Sequence, residues 1–171
     1  LDKGSMGYGQ VMRGWRGPDG DATDIAVNGL RLEVKAQLAT AAPRLRITSL
    51  DQLDSLDDSL VVVWHRFSRA DQGQSLGALI DAISCELVTS HRDQLEFQRK
   101  LLLSGFDPSA EYVDETFSLD RRTAFRVSEG FPRLVREKVP EGIIEARYDI
   151  ACSHLTEFEI DDDDFEEMIS G

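Results

Sequence analysis

The chain has few cysteines and no long apolar run. Its two cysteines, Cys85 and Cys152, show neither the spacing of a disulfide framework nor that of a metal site. No apolar stretch approaches the roughly 20 residues that a membrane-spanning helix needs, and no signal peptide is recognisable. These absences argue against a disulfide-stabilised secreted domain and a membrane protein. They predict a cytoplasmic protein with reduced thiols.

The residue patterns of several enzyme classes are also lacking. His65, His91 and His154 are scattered along the chain and do not lie at metal-ligand spacing. No serine or cysteine belongs to a recognisable nucleophile-and-base pattern, and no glycine-rich loop is suited to cradle a phosphate. Hydrolysis through a side-chain nucleophile and nucleotide binding by such a loop are therefore not indicated.

Basic residues are scarce as well. The chain has 19 Lys and Arg against 32 Asp and Glu, for a net charge of −13. Six of the acids lie between Asp161 and Glu167, and without these six charges the rest of the chain still carries −7. Such a like-charge block is typical of solvated disorder. Phe165 within this block, with Met168 and Ile169 directly after it, leaves open a second interpretation, a peptide that docks in a basic groove of a partner.

The length of 171 residues suits one domain with a core. We assign residues 14–160 to this domain, residues 1–13 to a vector remnant and leader, and residues 161–171 to an acidic, disordered tail. Hydrophobic periodicity and turn residues predict strands over 59–67, 112–127, 142–150 and 155–160, helices over 48–56, 75–88 and 92–103, and loops over 39–46 and 69–74.

A hairpin is the most informative local feature. The dipeptide Asn28-Gly29 lies between two alternating apolar runs, which is the strongest short-range signal for a two-residue type I′ turn. The resulting register places Asp24 opposite Glu33, with Lys35 on the same face. The other face is apolar and consists of Ile25, Val27, Leu30, Leu32 and Val34.

The two opposed carboxylates of the hairpin indicate a metal site. Directly opposed residues have Cβ atoms about 4.5–5.5 Å apart, and like charges placed so destabilise a sheet. A bound divalent cation explains why Asp24 and Glu33 would share this face. The alternative is an exposed face whose charges are solvated, with Lys35 paired to Glu33.

An acidic residue at a strand end, followed on the next strand by Glu33-Val34-Lys35, resembles the signature of the PD-(D/E)XK nuclease superfamily. Pro18-Asp19 is present, but the hairpin register selects Asp24 as the first acid. Longer segments resemble a bacterial family known as PD-(D/E)XK motif proteins, whose members occur in restriction and phage-defence gene clusters. These segments are residues 14–36, 47–53, 125–134 and 139–150.

The resemblance implies a fold and an activity. The fold would be α/β, a restriction-endonuclease-like mixed sheet flanked by helices, with a C-terminal β extension and a first core helix that is missing or truncated. The activity would be that of a Mg²⁺-dependent DNA endonuclease, with Mn²⁺ able to substitute. Asp24, Glu33 and the backbone carbonyl of Val34 would bind the metal, and Lys35 would orient or help deprotonate the attacking water.

Three further residues are candidates for substrate binding. Gln37 continues the face of Lys35 and is as well suited to contact DNA phosphate as to be a plain polar strand end. Arg16 could reach DNA across the site. Arg133 corresponds to a recurrent position of the family and could bind phosphate, although a structural ion pair is the more ordinary role for it.

The acidity of the chain leaves two function classes open. DNA binding is dominated by cations that neutralise phosphates, so partner subunits of a defence system would have to help bring DNA to an endonuclease this acidic. A homodimer is also compatible with the sequence. The alternative is a non-catalytic PD-(D/E)XK-like module that binds protein partners in a defence complex.

Overall fold

The computed structural model describes residues 7–54 and 59–170. Four helices lie in this part of the chain: α1 (Tyr8–Gly14), α2 (Leu76–Glu86), α3 (His91–Leu103) and α4 (Asp162–Ser170). The strands are β1 (Ile25–Val27), β2 (Leu30–Leu38), β3 (Arg44–Ile47), β4 (Leu60–Ser75), β5 (Thr116–Arg126), β6 (Tyr148–Ala151) and β7 (Glu159–Ile160). No helix among the described residues is both long and apolar enough to cross a membrane.

A mixed five-stranded sheet organises the fold. Its strand order is β1-β2-β4-β5-β7, and β3 pairs with β6 in a separate two-stranded sheet. Strands β2 and β4 run parallel, whereas β1, β5 and β7 are antiparallel to their neighbours. The predicted class, an α/β fold with a mixed sheet flanked by helices, is confirmed. The expected C-terminal β extension consists of β6 and β7.

The predicted hairpin register is confirmed. Val27 pairs with Leu30 and Ile25 with Leu32. Asn28 has φ 49° and Gly29 has φ 76°. A type I′ turn requires positive φ at both central residues, which Asn and Gly adopt at little cost. Local turn chemistry therefore determines which residues of β1 and β2 share a face.

The central sheet is apolar on both faces over its middle strands. On one face Leu30, Leu32, Val61 and Val63 pack together with Phe165. The other face is covered by the β3–β6 sheet and its flanking segments, in a cluster that includes Leu45, Ile47, Val62, Trp64, Phe125, Ile150 and Leu155. Helices α1, α2 and α3 form a third cluster around Met12, Leu87 and Phe97.

The prediction of a disordered acidic tail is wrong for residues 162–170, which form α4. Phe165 is only 3% exposed and fills the apolar sheet face. Arg122 of β5 forms ion pairs with Asp162 at 2.8 Å and with Glu166 at 3.6 Å. The apolar contact and the opposite charge offset the repulsion among the acids, and these long-range contacts order the segment.

The N-terminal segment also differs from its prediction. Residues 8–14, most of which were assigned to a leader, form α1. Met12 is buried against Phe97 and Leu87. A helix of seven residues thus precedes the hairpin, where a missing or truncated first core helix was expected. Residues 1–6, expected to be a vector remnant, lie outside the described residues.

Several predicted boundaries were wrong because pairing between distant segments decided them. Residues 69–74, predicted as a turn, belong to β4 and face β5 across an irregular register. The loop predicted over 39–46 contains the start of β3, which pairs with β6. The predicted strands over 142–150 and 155–160 shorten to β6 and β7. Of the helix predicted over 48–56, only a 3₁₀ turn at Asp51–Leu53 lies in the described residues.

Candidate active site

Asp24 lies one residue before β1 and is held from several directions. Its backbone N–H donates to Leu32 O at 3.0 Å. Its carbonyl oxygen accepts from the backbone N–H groups of Arg16 at 2.6 Å and Gly17 at 3.0 Å. Its carboxylate Oδ2 accepts from Val34 N at 2.7 Å. The carboxylate is thereby directed onto β2, next to the residue that follows Glu33.

Gly17 permits the close approach of the loop that precedes the hairpin. A Cβ atom added at Gly17 would lie 2.9 Å from Asp24 Oδ1 and 3.5 Å from its Cα. The first distance is too short for an ordinary contact, so a larger residue would push the carboxylate aside. Gly17 begins a 3₁₀ turn, Gly17–Asp19, shortly after the end of α1. The position of Asp24 therefore depends on this turn as well as on the hairpin.

Glu33 is buried and paired. Only 2% of the residue is exposed, and its Oε1 lies 2.6 Å from Lys35 Nζ. The pKa of Glu33 is raised to about 7, chiefly by burial. The hydrogen bond and the charge of Lys35 lower this pKa, and the negative charge of Asp24 makes a smaller contribution that raises it. A carboxylate inside the protein next to a second carboxylate has a high affinity for positive charge.

The sheet register explains why these three side chains meet. Glu33 pairs with Val62 and Lys35 with Trp64. Since side chains of directly paired residues lie on the same side of a sheet, Glu33 and Lys35 share the face of Val62 and Trp64. Val34 points the other way, while its N–H bonds the Asp24 carboxylate. The geometry therefore brings Asp24 next to the Glu33–Lys35 pair.

Two of the three candidate substrate-binding residues bond their own chain. Gln37 Nε2 donates to Ala42 O at 3.0 Å and its Oε1 accepts from Arg44 N at 3.5 Å, so Gln37 closes the turn after β2. Arg133 Nη1 donates to Leu53 O at 2.7 Å. Arg16 is exposed. Of the three, Arg16 has its side chain directed to solvent beside the site.

The residues present fit a hard divalent cation. Among the described residues no group of three or more His, Cys, Asp and Glu side chains lies at metal-binding separation, so the donor set consists of two carboxylates. Mg²⁺ accepts such a set because it keeps several waters and is bound through one or two carboxylates. Helix α1 adds no acid, and its Gln10 donates to Asn28 Oδ1 at 2.8 Å instead.

Lys100 is a residue that sequence reasoning missed. It is 2% exposed and donates from Nζ to Met12 O at 3.1 Å and to Trp15 O. These carbonyls belong to the end of α1, just before the residues that hold the Asp24 backbone. A signal was present, because Lys100 lies three residues after Phe97 on the buried stripe of α3. A lysine on an apolar stripe needs acceptors, and the end of a helix supplies them.

A known protein family matches the part of the chain that contains this site. The model of the family described as "Putative PD-(D/E)XK family member (DUF4420)" matches residues 3–153. The matched region includes α1, the hairpin, the central strands and β6. No curated protein and no solved structure is found to match the chain.

Proposed function

Because the chain belongs to this PD-(D/E)XK family, we propose that it is a metal-dependent DNA endonuclease whose active site consists of Asp24, Glu33 and Lys35. One observation carries the proposal. Glu33 and Lys35 lie 9 and 11 positions after Asp24 in the sequence, and the hairpin places all three residues close together. Asp24 accepts a hydrogen bond from Val34 N, and Glu33 forms an ion pair with Lys35. PD-(D/E)XK folds use this residue set for phosphodiester hydrolysis.

Asp24 and Glu33 are the side chains that would hold Mg²⁺ or Mn²⁺, with the carbonyl of Val34 as a further candidate ligand. A metal ion bound there supplies charge stabilisation at the phosphoryl oxygen and lowers the pKa of a bound water. Lys35 Nζ offers protons and positive charge beside the carboxylates, where it can orient the attacking water and offset phosphate charge. Burial of Glu33 strengthens each of these electrostatic interactions.

The biological setting is a finer proposal. The resemblance to proteins from restriction and phage-defence clusters supports a role in such a system, in the cytoplasm and together with partner subunits. The net charge of −13 supports the same conclusion, because a chain this acidic gains from cationic partners when it binds DNA. A homodimer remains part of this hypothesis.

A non-catalytic scaffold module is the second candidate. Two observations favour it: α1 contributes no acidic residue toward the carboxylates, and the ammonium of Lys35 already neutralises Glu33 at 2.6 Å. A module of this kind would retain the fold without binding a metal. Cleavage assays with point variants separate the two functions.

Lys35→Ala should reduce cleavage at least about 100-fold, the lower end of what a positioned proton-transfer group contributes. The assay follows nicking of supercoiled plasmid with millimolar Mg²⁺ or Mn²⁺ and with the partner subunits present. Lys138→Ala is the matched control, since Lys138 is exposed on the 3₁₀ turn Arg136–Lys138, outside the hairpin, and its replacement removes the same charge. Circular dichroism would verify that both variants remain folded.

Equal cleavage by the parent and the folded Lys35→Ala variant would assign the activity to another protein in the preparation. Absence of metal-dependent cleavage by the parent, with partners present, would favour the scaffold module.

A further inference from the structure

A cleft next to the candidate active site has an arginine-rich surface. The end of α1, the 3₁₀ turn Gly17–Asp19 and the first three turns of α3 enclose a cavity of about 730 Å³. Its cationic lining comprises Arg13, Arg16, Arg92, Arg99 and Lys100. We call the first four of these residues the arginine cleft. These residues concentrate positive charge in one place on a chain whose net charge is −13.

In each ion pair of this cleft the arginine is more exposed than the acid, but of the three acids in the lining only Asp93 is buried. Asp93 has an 11% exposed side chain and bonds Arg13, whose side chain is 57% exposed, at 3.1 Å. Asp19 is 35% exposed and bonds Arg99, which is 46% exposed, at 2.7 Å. Glu96 is placed similarly, 2.6 Å from Arg99. Asp93 holds Arg13 from the buried side, whereas Asp19 and Glu96 share the surface with Arg99. The lining has five cationic side chains against three acids, so the cleft carries an excess of positive charge.

Two arginines of the cleft have no such partner. In the described part of the chain, Arg16 and Arg92 form no ion pair, and both residues are exposed. Arginine presents a planar set of donors that matches phosphate oxygens in pairs. A phosphate that approaches Arg16 and Arg92 would therefore meet free donors rather than displace an existing carboxylate.

The cleft is linked to the active-site carboxylates by the backbone. Arg16 N donates to Asp24 O at 2.6 Å, so the backbone of Arg16 is adjacent to that of Asp24. Lys100, which is 2% exposed, connects α3 to the end of α1 through Met12 O and Trp15 O. Both walls of the cleft are thereby attached to the loop that positions Asp24. A ligand held in the cleft has a defined position relative to the site.

We propose that the arginine cleft binds the sugar–phosphate backbone of duplex DNA beside the phosphate that the Asp24–Glu33–Lys35 site attacks. This inference rests on the proposed endonuclease function and names the surface that the substrate occupies. The contact is independent of base sequence, because phosphates carry no sequence information directly. The neighbouring acidic surface repels DNA elsewhere, which confines the duplex to this side of the chain.

The test measures DNA binding separately from cleavage. Fluorescence anisotropy with a short labelled duplex in EDTA, at a series of salt concentrations, reports the dissociation constant without turnover. Arg16→Ala/Arg92→Ala should weaken binding at least tenfold at low salt. The slope of log K against log[salt] should become shallower by about 1.8, since each lost phosphate contact contributes about 0.9.

The control pair is Arg136→Ala/Arg147→Ala. These arginines have 53% and 75% exposed side chains and lie outside the cleft. The control removes the same net charge as the test variant. Because its two arginines lie outside the cleft, it should change binding less than twofold. Thermal melts of both double variants should match the parent, because all four side chains are exposed.

Equal weakening by the two double variants, or parent-like binding by Arg16→Ala/Arg92→Ala, would overturn the proposal. So would a parent that does not bind the duplex at low salt. The proposed function fails by a different outcome: metal-dependent cleavage that Lys35→Ala leaves intact. A Lys35-dependent nuclease that binds DNA normally without Arg16 and Arg92 would retain its function and lose this assignment of the cleft.

Discussion

Two acidic regions of the molecule differ in almost every physical respect except charge. Helix α4 and the residue before it carry six acids between Asp161 and Glu167, all exposed to solvent. The hairpin has only Asp24 and Glu33, of which Glu33 is 2% exposed. The first region is dense in acids but solvated, whereas the second is sparse but partly removed from water. Water screens the repulsion among exposed carboxylates, while burial makes each remaining charge costly.

Burial, rather than the number of acids, therefore distinguishes a reactive carboxylate from a solvated one. Helix α4 contributes to the fold through Phe165, and its acids face solvent or bond Arg122 of β5. In the hairpin the charged form of Glu33 is disfavoured, because Glu33 is buried and lies near the charge of Asp24. Under the proposed function, the cation that they would bind accounts for their arrangement. The following variants test the two halves of this contrast.

Phe165→Ala should have the largest effect on stability. Phe165 is 3% exposed against Leu30, Leu32, Val61 and Val63, and truncation of a buried phenylalanine costs about 3–5 kcal/mol. Urea unfolding followed by circular dichroism measures the free energy of unfolding. Glu167→Ala on the exposed side of α4 is the control and should remain within about 0.5 kcal/mol of the parent.

If both α4 variants were as stable as the parent, the helix would not be docked on the sheet in solution. The stability of α4 would then not depend on the apolar contact of Phe165. The claim that α4 contributes to the fold through this contact would be wrong.

Glu33 should make the stability of the metal-free protein depend on pH. Burial raises the pKa of Glu33 to about 7, above its ordinary value. The folded state therefore binds the proton more tightly than the unfolded state does. The resulting stabilisation is complete below the ordinary pKa and is lost as pH rises through about 7. Because raising a pKa by one corresponds to about 1.4 kcal/mol, the loss is of the order of 3 kcal/mol.

The measurement is the free energy of unfolding in EDTA between pH 5 and pH 8, for the parent and for Glu33→Gln. The parent should lose stability relative to Glu33→Gln as pH rises through this range. Glu167→Gln in α4 should follow the parent at every pH. Parallel pH profiles for the parent and Glu33→Gln would mean that the Glu33 carboxylate is solvated like the acids of α4.

The sequence predicted the hairpin and its register better than it predicted the rest of the fold. Asn28-Gly29 determines the pairing of neighbouring residues, so the grouping of Asp24, Glu33 and Lys35 follows from local rules. Helices α2 and α3 were predictable for the same reason, since their periodicity and the N-caps Ser75 and Ser90 are local. Patterns within a short segment were sufficient wherever neighbouring residues make the deciding contacts.

The errors occurred where the deciding contact is distant in sequence. Phe165, Met168 and Ile169 have helical spacing, but the six neighbouring acids suggest disorder. The segment is a helix because Phe165 packs on an apolar sheet face whose residues Leu30, Leu32, Val61 and Val63 lie more than 100 positions earlier. Strand β3 is determined by β6, again about 100 residues away. The apolar stripe of α3 indicates that Lys100 is buried, but the carbonyls that it bonds lie at the end of α1, more than 80 residues earlier. No local pattern encodes such partners.

The central claim, that the hairpin acids form a metal site, is tested most directly by the stabilisation that Mn²⁺ gives to the folded protein. Thermal and urea unfolding of the parent, Asp24→Asn and Asp163→Asn should be compared in EDTA and in Mn²⁺ at a hundredfold excess over the dissociation constant. A cation that binds only the folded site stabilises by about 2.7 kcal/mol at that excess. Asn can still accept the hydrogen bond from Val34 N, which is 2.7 Å from the Asp24 carboxylate, so Asp24→Asn should fold. Because this change removes one of two repelling charges, the variant should melt slightly higher than the parent without metal.

We expect the parent and Asp163→Asn, a variant of the exposed acids of α4, to gain equally from Mn²⁺, whereas Asp24→Asn should gain much less. Equal gains for the parent and Asp24→Asn would contradict the assignment of the hairpin as the metal site. In that case the cation would bind elsewhere, and Asp24 would not be a metal ligand.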